Sequence, residues 1–427
     1  MTEFMKFENY KGYLSPALAK VTELIVESAK GCYIKDNTGK EYLDFVQGIA
    51  VNALGHCHPN VVKAICDQTK KIMCASFNLV SYPSTLKLAE ELSKVTPGNL
   101  NVTFFSNGGS EAIDGALKLA RNNTNRPGII AFRGSFHGRT FGATSVTGSN
   151  SKYRKNYEPL VPSVYFTPYP TCYRCPYNTT EDKCSMDCLQ ELQRTFDYLI
   201  DPSNVAAVLM EPVMGEGGYV VPPKKYVQAL REICTKHGIL LIFDEIQSGF
   251  GRTGKMFASE HFDVVPDIMT LGKAIAGGLP MSAIVSTKEI MDTWKPGQHG
   301  TTFGGHPVCA AAGLAVLETF KEENVLENCN IQGVYLKKRL LEMKEKYPTL
   351  GDVRGLGLMV AVEFINPDKS PSSDKLDKVK DFCLQNGLLT LSCGVYGNGF
   401  RFATPLNICR EDLDKGLNIF EDALKEL

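Results

Sequence analysis

Between residues 101 and 286 the chain alternates short apolar runs with amphipathic stretches, a pattern that predicts a mainly parallel sheet wrapped by helices. Asn101–Ser106, Gly128–Arg133, Val205–Met210 and Ile239–Asp244 read as strands, with Ile268–Leu271 and Ala283–Ser286 completing the sheet. These runs have almost no polar interruption, which suits strands covered on both faces. Glu111–Ala120 and Lys224–His237 read as helices between them.

The two ends have a different character. Cys32–Lys35 and Glu41–Phe45 flank Asp36-Asn-Thr-Gly39, which predicts a hairpin. Beyond Ala315 the order is helix, strand at Leu358–Phe364, helix, strands at Leu388–Ser392 and Phe400–Ala403, then helix. This predicts a smaller α+β unit with which the N-terminal hairpin packs. The expected division is 1–50 with the small unit, 51–315 as the large domain and 316–427 as the small domain. Tyr153–Met186, rich in Pro, Tyr and Cys, is the longest stretch read as irregular, and such segments are often functional loops.

Composition narrows the class. The chain has 427 residues, more than one ordinary core holds, with 43% hydrophobic and 22% charged residues. No run approaches the roughly 20 apolar residues of a membrane span. Met1–Tyr10 carries Glu3, Lys6 and Glu8 without an apolar core, so no secretion signal is expected and a cytoplasmic location is. A net charge of −1 offers no long-range attraction to nucleic acid or anionic lipid, so neither is an expected partner and anion binding must be local.

Ten of the 14 cysteines are scattered and read as small buried hydrophobes in a reducing environment. The other four form Cys172-Tyr-Arg-Cys175 and Cys184-Ser-Met-Asp-Cys188. Such pairs bind zinc or form disulfides, but eight intervening residues are few for a zinc ribbon. Reduced thiols or an adventitious disulfide is the reading taken, and no metal is assigned.

Three segments carry candidate chemistry. Ser106-Asn-Gly-Gly-Ser110-Glu-Ala leaves a strand and opens a helix, where two glycines and free N–H groups could grip a phosphate. A helix merely capped by Ser110 is the plainer alternative. Asp244 ends an apolar strand, where open α/β sheets bind ligands, although it could simply cap the next turn. Lys273 stands in the otherwise uncharged, glycine-rich run Thr270–Pro280. A solvated lysine is ordinary, but one partly desolvated near other cations has the lowered pKa that covalent carbonyl chemistry needs. Phosphate grip, acid and lysine together fit one cofactor, pyridoxal 5'-phosphate.

The chain resembles the class III, or ornithine/4-aminobutyrate-type, aminotransferases of the fold-type I pyridoxal-phosphate enzymes. The likeness runs from Gly48-Ile-Ala-Val-Asn-Ala-Leu-Gly-His-Cys-His-Pro59 to Arg401 and is most specific at Leu241-Ile-Phe-Asp-Glu-Ile-Gln-Ser-Gly-Phe-Gly-Arg-Thr-Gly254. Phe136-His-Gly-Arg139, Glu211-Pro-Val-Met-Gly-Glu-Gly-Gly218 and Thr301-Thr-Phe-Gly-Gly-His-Pro307 agree with it in order. It implies an α/β fold with a large domain around a mainly parallel sheet and a small domain built from both chain ends.

The resemblance also implies roles. Lys273 holds the cofactor and shuttles the proton, and Asp244 pairs with the pyridine nitrogen. Gly109 and Ser110 grip the phosphate, Phe136 stacks on the ring, and His137 belongs to the same cofactor set. Ile246 packs beneath the ring and Gln247 lies near the phenolic oxygen. Thr302 reaches the phosphate of the neighbouring subunit, which implies a homodimer or dimer of dimers. Ile49, Arg139, Glu211 and Arg401 meet the substrate. Arg139 takes a distal carboxylate and Arg401 an α-carboxylate, with Glu211 pairing Arg401 when the substrate has none. The expected reaction is transfer of an amino group from an ω-amino acid to 2-oxoglutarate, giving a semialdehyde and glutamate. 4-Aminobutyrate leads as donor, ahead of other ω-amino acids, ornithine-like diamines and taurine. Cysteine-bearing loops like Cys172–Cys188 accompany some racemase relatives, so a pyridoxal-phosphate racemase or epimerase is the rival.

Overall fold

A computed structural model describes residues 5–427, so the part of the leader argument that rests on Met1–Phe4 lies outside the described residues. The central sheet has seven strands: β1 (Val102–Ser106), β2 (Gly128–Arg133), β3 (Val164–Pro168), β4 (Val205–Met210), β5 (Leu240–Asp244), β6 (Ile268–Leu271) and β7 (Ser282–Ser286). Their order across the sheet is β1-β7-β6-β5-β4-β2-β3. Only β7 is antiparallel, to β1 on one side and β6 on the other. The pairs β6–β5, β5–β4, β4–β2 and β2–β3 are parallel. The mainly parallel sheet is therefore as the apolar runs required.

Alternation along the strands explains why the runs lack polar positions. In β5, Leu241 and Phe243 face a core they share with helices Asp187–Tyr198 and Lys224–His237. Ile242, between them, faces the opposite core, under helix Gly109–Thr124. Both faces are dry, so every strand residue is apolar until the strand end, where Asp244 sits. β3 lies inside the stretch read as irregular. Its five residues end in proline at the edge of the sheet, where a missing N–H is tolerated, and that masked the strand.

The hairpin forms as expected, with Tyr33 opposite Leu43 and Lys35 opposite Glu41. Gly39 takes φ 92°, while Asp36 accepts hydrogen bonds from the Thr38 and Lys40 amides. Leu388–Leu389 pairs in parallel with Glu41–Asp44, so one four-stranded sheet joins both ends of the chain. The expected strand Leu388–Ser392 is in fact two: Leu391–Cys393 leaves for another sheet, beside Gly399–Phe402. Among the described residues no helix is long and apolar enough to cross a membrane.

Candidate active site

Four strand ends and one tight turn bring the chemistry together. Asp244 ends β5, Lys273 follows β6 after Gly272, Glu211 follows β4, and the Ser106–Ser110 turn follows β1. β4, β5 and β6 are neighbours and β1 lies beyond β7, and these carboxyl ends form the edge at which open α/β sheets bind ligands.

Lys273 is half-buried. Its backbone is in the left-handed region at φ 46°, which a side chain with a Cβ adopts only when its surroundings hold it there. Burial pushes its amine down to about 8; Glu216 opposes the shift, Arg401 adds to it, and Asp244 and Glu211 oppose it. A lysine in this range supplies neutral, nucleophilic amine near neutral pH.

Asp244 is buried and faces His137, with 2.7 Å between Oδ2 and Nδ1. Its Oδ1 accepts from the Ile246 amide at 3.1 Å and from Thr270 Oγ1 at 3.3 Å. Asp244 thus accepts the Ile246 amide, as a turn cap would, and is held in addition by Thr270 and His137. His137 Nε2 is buried without a partner.

The Ser106–Ser110 turn leads into helix Gly109–Thr124. Its N-cap is Gly108, not Ser110, and no side chain caps it, so its first N–H groups remain available to an anion. Ile246 packs against this turn so closely that a Cβ on Gly109 would lie 3.0 Å from its Cδ1. A Cβ on Gly138 would lie 2.3 Å from Ser110 Cβ, which presses the Phe136–Arg139 segment onto the same turn. Phe136 holds Arg139 over its ring at 5.0 Å, and Tyr153 shares that cation at 5.0 Å. No carboxylate among the described residues pairs with Arg139, which is exposed.

The expected pairing of Arg401 with Glu211 is corrected by the structure. Arg401 binds Glu216 through two bonds, Nη1–Oε1 at 2.6 Å and Nη2–Oε2 at 3.2 Å. Glu211 instead accepts the amides of Phe136 at 2.9 Å and Gly215 at 2.7 Å. It follows β4 and is turned to the Phe136 amide, whereas the turn through Gly215 carries Glu216 to Arg401 on the strand Gly399–Phe402. Burial pushes the Glu211 carboxyl up to about 7; His137 opposes this and Asp244 adds to it. Burial also works against the charges of Glu216 and Arg401. Each nevertheless moves toward its charged form, because the partner outweighs burial. Glu216 lies in the motif Glu211–Gly218 but is not among the site residues expected from the sequence. The signal was there: a lone charge among glycines needs a partner, the same reasoning that singled out Lys273.

Ile49 and Thr302 are both exposed in the single chain. Ile49 lies in a left-handed turn, Gln47 to Ala50, with φ of 50°, 64°, 67° and 61° along four residues, three of them not glycine. Asp44 Oδ1 accepts the amides of Val46 at 2.8 Å and Gln47 at 3.0 Å at the start of this turn. Gln247 is buried and its Oε1 has no partner. These orphaned polar atoms, the uncapped helix, the glycine cradle and the buried amine together fit pyridoxal 5'-phosphate.

A family model described as Aminotransferase class-III matches residues 15–424. The chain belongs to the class III aminotransferases. It is 38% identical over 416 residues to a probable 4-aminobutyrate aminotransferase of Bacillus subtilis (strain 168), covering 97% of this chain and 95% of that one. It is also 36% identical over 420 residues to an isoleucine 2-epimerase of Lentilactobacillus buchneri, covering 97% and 93%. Among solved structures, an amine transaminase from an uncultivated Pseudomonas species in its PLP-bound form matches with a TM-score of 0.89 and 32% identity, over 97% of this chain and 96% of that one. This class III aminotransferase has the fold-type I architecture, and its cofactor is pyridoxal 5'-phosphate. Its substrates are an amino donor and a keto-acid acceptor.

Proposed function

We propose that this aminotransferase takes an ω-amino acid of the 4-aminobutyrate kind as donor and 2-oxoglutarate as acceptor, releasing a semialdehyde and glutamate. The observation that carries the reading is the buried Arg401–Glu216 pair near Lys273. An α-carboxylate can take Arg401 from Glu216, and a donor lacking one leaves the pair closed, so neither state strands a buried charge. A racemase of α-amino acids meets an α-carboxylate in every turnover and has no use for a displaceable partner. The epimerase relative supports that rival, and the pair weighs against it.

When bound, pyridoxal phosphate supplies an aldehyde for the amino group and a ring that withdraws electrons from the neighbouring C–H bond. Lys273 would hold the cofactor, and its Nζ then accepts and returns the proton as general base and acid. Asp244, backed by His137, favours a protonated pyridine nitrogen. Gly109 and Ser110 would hold the phosphate, with Phe136 and Ile246 on either side of the ring and Gln247 at its phenolic edge. Arg139 takes the distal carboxylate shared by donor and acceptor. Glu211 positions the Phe136 loop and does not touch substrate. Thr302 completes the neighbour's site in a homodimer. Supporting this, Thr301 is tied to Asn107 of the phosphate turn at 2.9 Å and to Asn78 at 2.7 Å, beside exposed Met73, Leu79 and Phe303.

A donor screen against 2-oxoglutarate, read by glutamate formation, tests the proposal. 4-Aminobutyrate or 5-aminovalerate should lead. D-amino acid formed from one pure L-amino acid without a keto acid would overturn it in favour of racemisation.

A further inference from the structure

The loop between β3 and helix Asp187–Tyr198 gathers all four clustered cysteines around one small cavity of about 30 Å³, which Lys225 and Tyr226 also line. They come from two turns eight residues apart. Cys172 and Cys175 follow Tyr169; Cys184 ends a short 3-10 turn and Cys188 opens the helix. All four cysteines line this one cavity, so they form a single group and not two separate pairs. The Met186 amide donates to Cys184 Sγ at 3.2 Å, which fixes the turn that carries this sulfur. Met186 adopts φ 60° to make that turn, a strained conformation for a residue with a side chain.

We propose that Cys172, Cys175, Cys184 and Cys188 bind one zinc ion as a closed tetrathiolate site. Four S–Zn bonds form, the four thiols release their protons to solvent, and the centre keeps two net negative charges beside Lys225. Among the described residues no group of three or more His, Cys, Asp or Glu side chains already stands arranged to hold a metal ion, and all four thiols are free. Closure therefore needs side-chain rotation into the cavity, whose volume is that of about one water molecule or ion. Zinc suits the site because it is redox-inert, prefers thiolate and accepts tetrahedral closure. Disulfides suit it less. The other ten cysteines are all unbridged, and Cys57, Cys66, Cys74 and Cys409 are exposed, which an oxidising environment would not leave intact.

The site would brace the roof of the active site. Tyr169 donates its hydroxyl to the Glu211 carbonyl at 2.9 Å. Arg174, between the first two thiols, pairs with Glu363, which also holds Arg354 at 2.8 Å and Asn398 at 3.2 Å. An ion at the four sulfurs would fix both connections at once.

The test uses holoenzyme purified under reducing conditions without chelator. Elemental analysis should find roughly one zinc per chain, released in step with thiol modification by a mercurial reagent. Cys175→Ser and Cys184→Ser should drop zinc below about a tenth per chain, and Cys66→Ser should retain it. If the loop variants fail to fold, the mercurial titration of the unmodified enzyme still decides. Zinc-free protein with four freely reacting thiols, intact mass showing the loss of two hydrogens per bridge, or iron in place of zinc would each overturn the proposal.

Discussion

Replacing Glu216 by glutamine is the sharpest probe of the proposed chemistry, because it removes one charge and almost no volume. Arg401 is 3% exposed, and among the described residues its Nε has no partner and its charge is answered only by the two bonds to Glu216 at 2.6 and 3.2 Å. In Glu216→Gln an ω-amino donor binds with Arg401 facing a neutral amide. A lost charge-assisted contact in a buried site is worth about 1.5–3 kcal/mol, or roughly ten- to a hundred-fold in apparent affinity. The donor half-reaction should fall by that factor. In the other half-reaction the α-carboxylate of glutamate or 2-oxoglutarate no longer displaces a competitor, so that half should hold steady or tighten. Arg401→Ala should do the reverse and harm the 2-oxoglutarate half more.

Single-turnover absorbance changes of the holoenzyme, taken with each substrate alone, read the two halves separately. Glu211→Gln is the control, because Glu211 bonds the Phe136 and Gly215 amides and does not touch Arg401. It should lower both halves together and leave their ratio within about threefold, since no ion pair is lost. A Glu216→Gln enzyme that lost both halves equally, or a Glu211→Gln enzyme that shifted the ratio, would refute the reasoning.

Three further outcomes follow from the geometry. In the apoenzyme, labelling of Lys273 by an amine-reactive sulfonate, read by peptide mass, should rise with pH through a midpoint near 8, because half of its amine is neutral at that value; a midpoint near 10.5 would show an ordinary lysine. Asp244→Asn should keep the fold by circular dichroism yet lose on the order of 10³-fold or more in the rate of either half-reaction, since a neutral amide cannot hold the pyridine nitrogen charged; a rate near normal would reduce Asp244 to a turn cap. Gly48→Ala should lower stability by about 1 kcal/mol in urea unfolding, because its φ of 64° lies in the left-handed region while the nearest atoms leave room for a methyl group; no loss would mean that the left-handed turn is relaxed.

The parts of the fold that could be read in advance share a cause. β4, β5 and β6 are apolar on both faces, and Lys224–His237 ends at Gly238 in the left-handed conformation, so local pattern and global burial agree. β3 and the strand Leu350–Leu356 were hidden because each is interrupted, one by an edge proline and the other by two glycines and an arginine. In the site, Lys273 and Asp244 were legible as isolated charges in apolar surroundings. The partner of Arg401 was not. Glu211 and Glu216 are five residues apart in one glycine-rich turn, and only the path of that turn decides which one crosses to Arg401. The left-handed turn at Gln47–Ala50 also left no mark, because glutamine, isoleucine and alanine carry no local preference for positive φ.

The charge arrangement explains how so many ionisable groups lie close together at these strand ends. Asp244, Glu211, Glu216 and Glu245 are four carboxyls close to two cations, Lys273 and Arg401, which would leave a deep excess of negative charge if all were ionised. Glu211 and Glu245 are the two whose direct partners are neutral. Glu211 accepts two backbone amides, and Glu245 accepts the Ala258 and Ser259 amides together with the Ser248 hydroxyl. Burial pushes both up to about 7. Their contribution to stability is therefore fully present below about pH 4.5 and lost as pH rises through about 7. Glu216, answered by a guanidinium, goes the other way and stays ionised. Near neutral pH the two scaffold carboxyls thus give up much of their charge, while Glu216, held by Arg401, keeps its own. The field felt by an incoming substrate is then set by Arg401 and by whichever carboxylate occupies it, which is the condition under which a single ion pair can choose between an ω-amine and an α-amino acid.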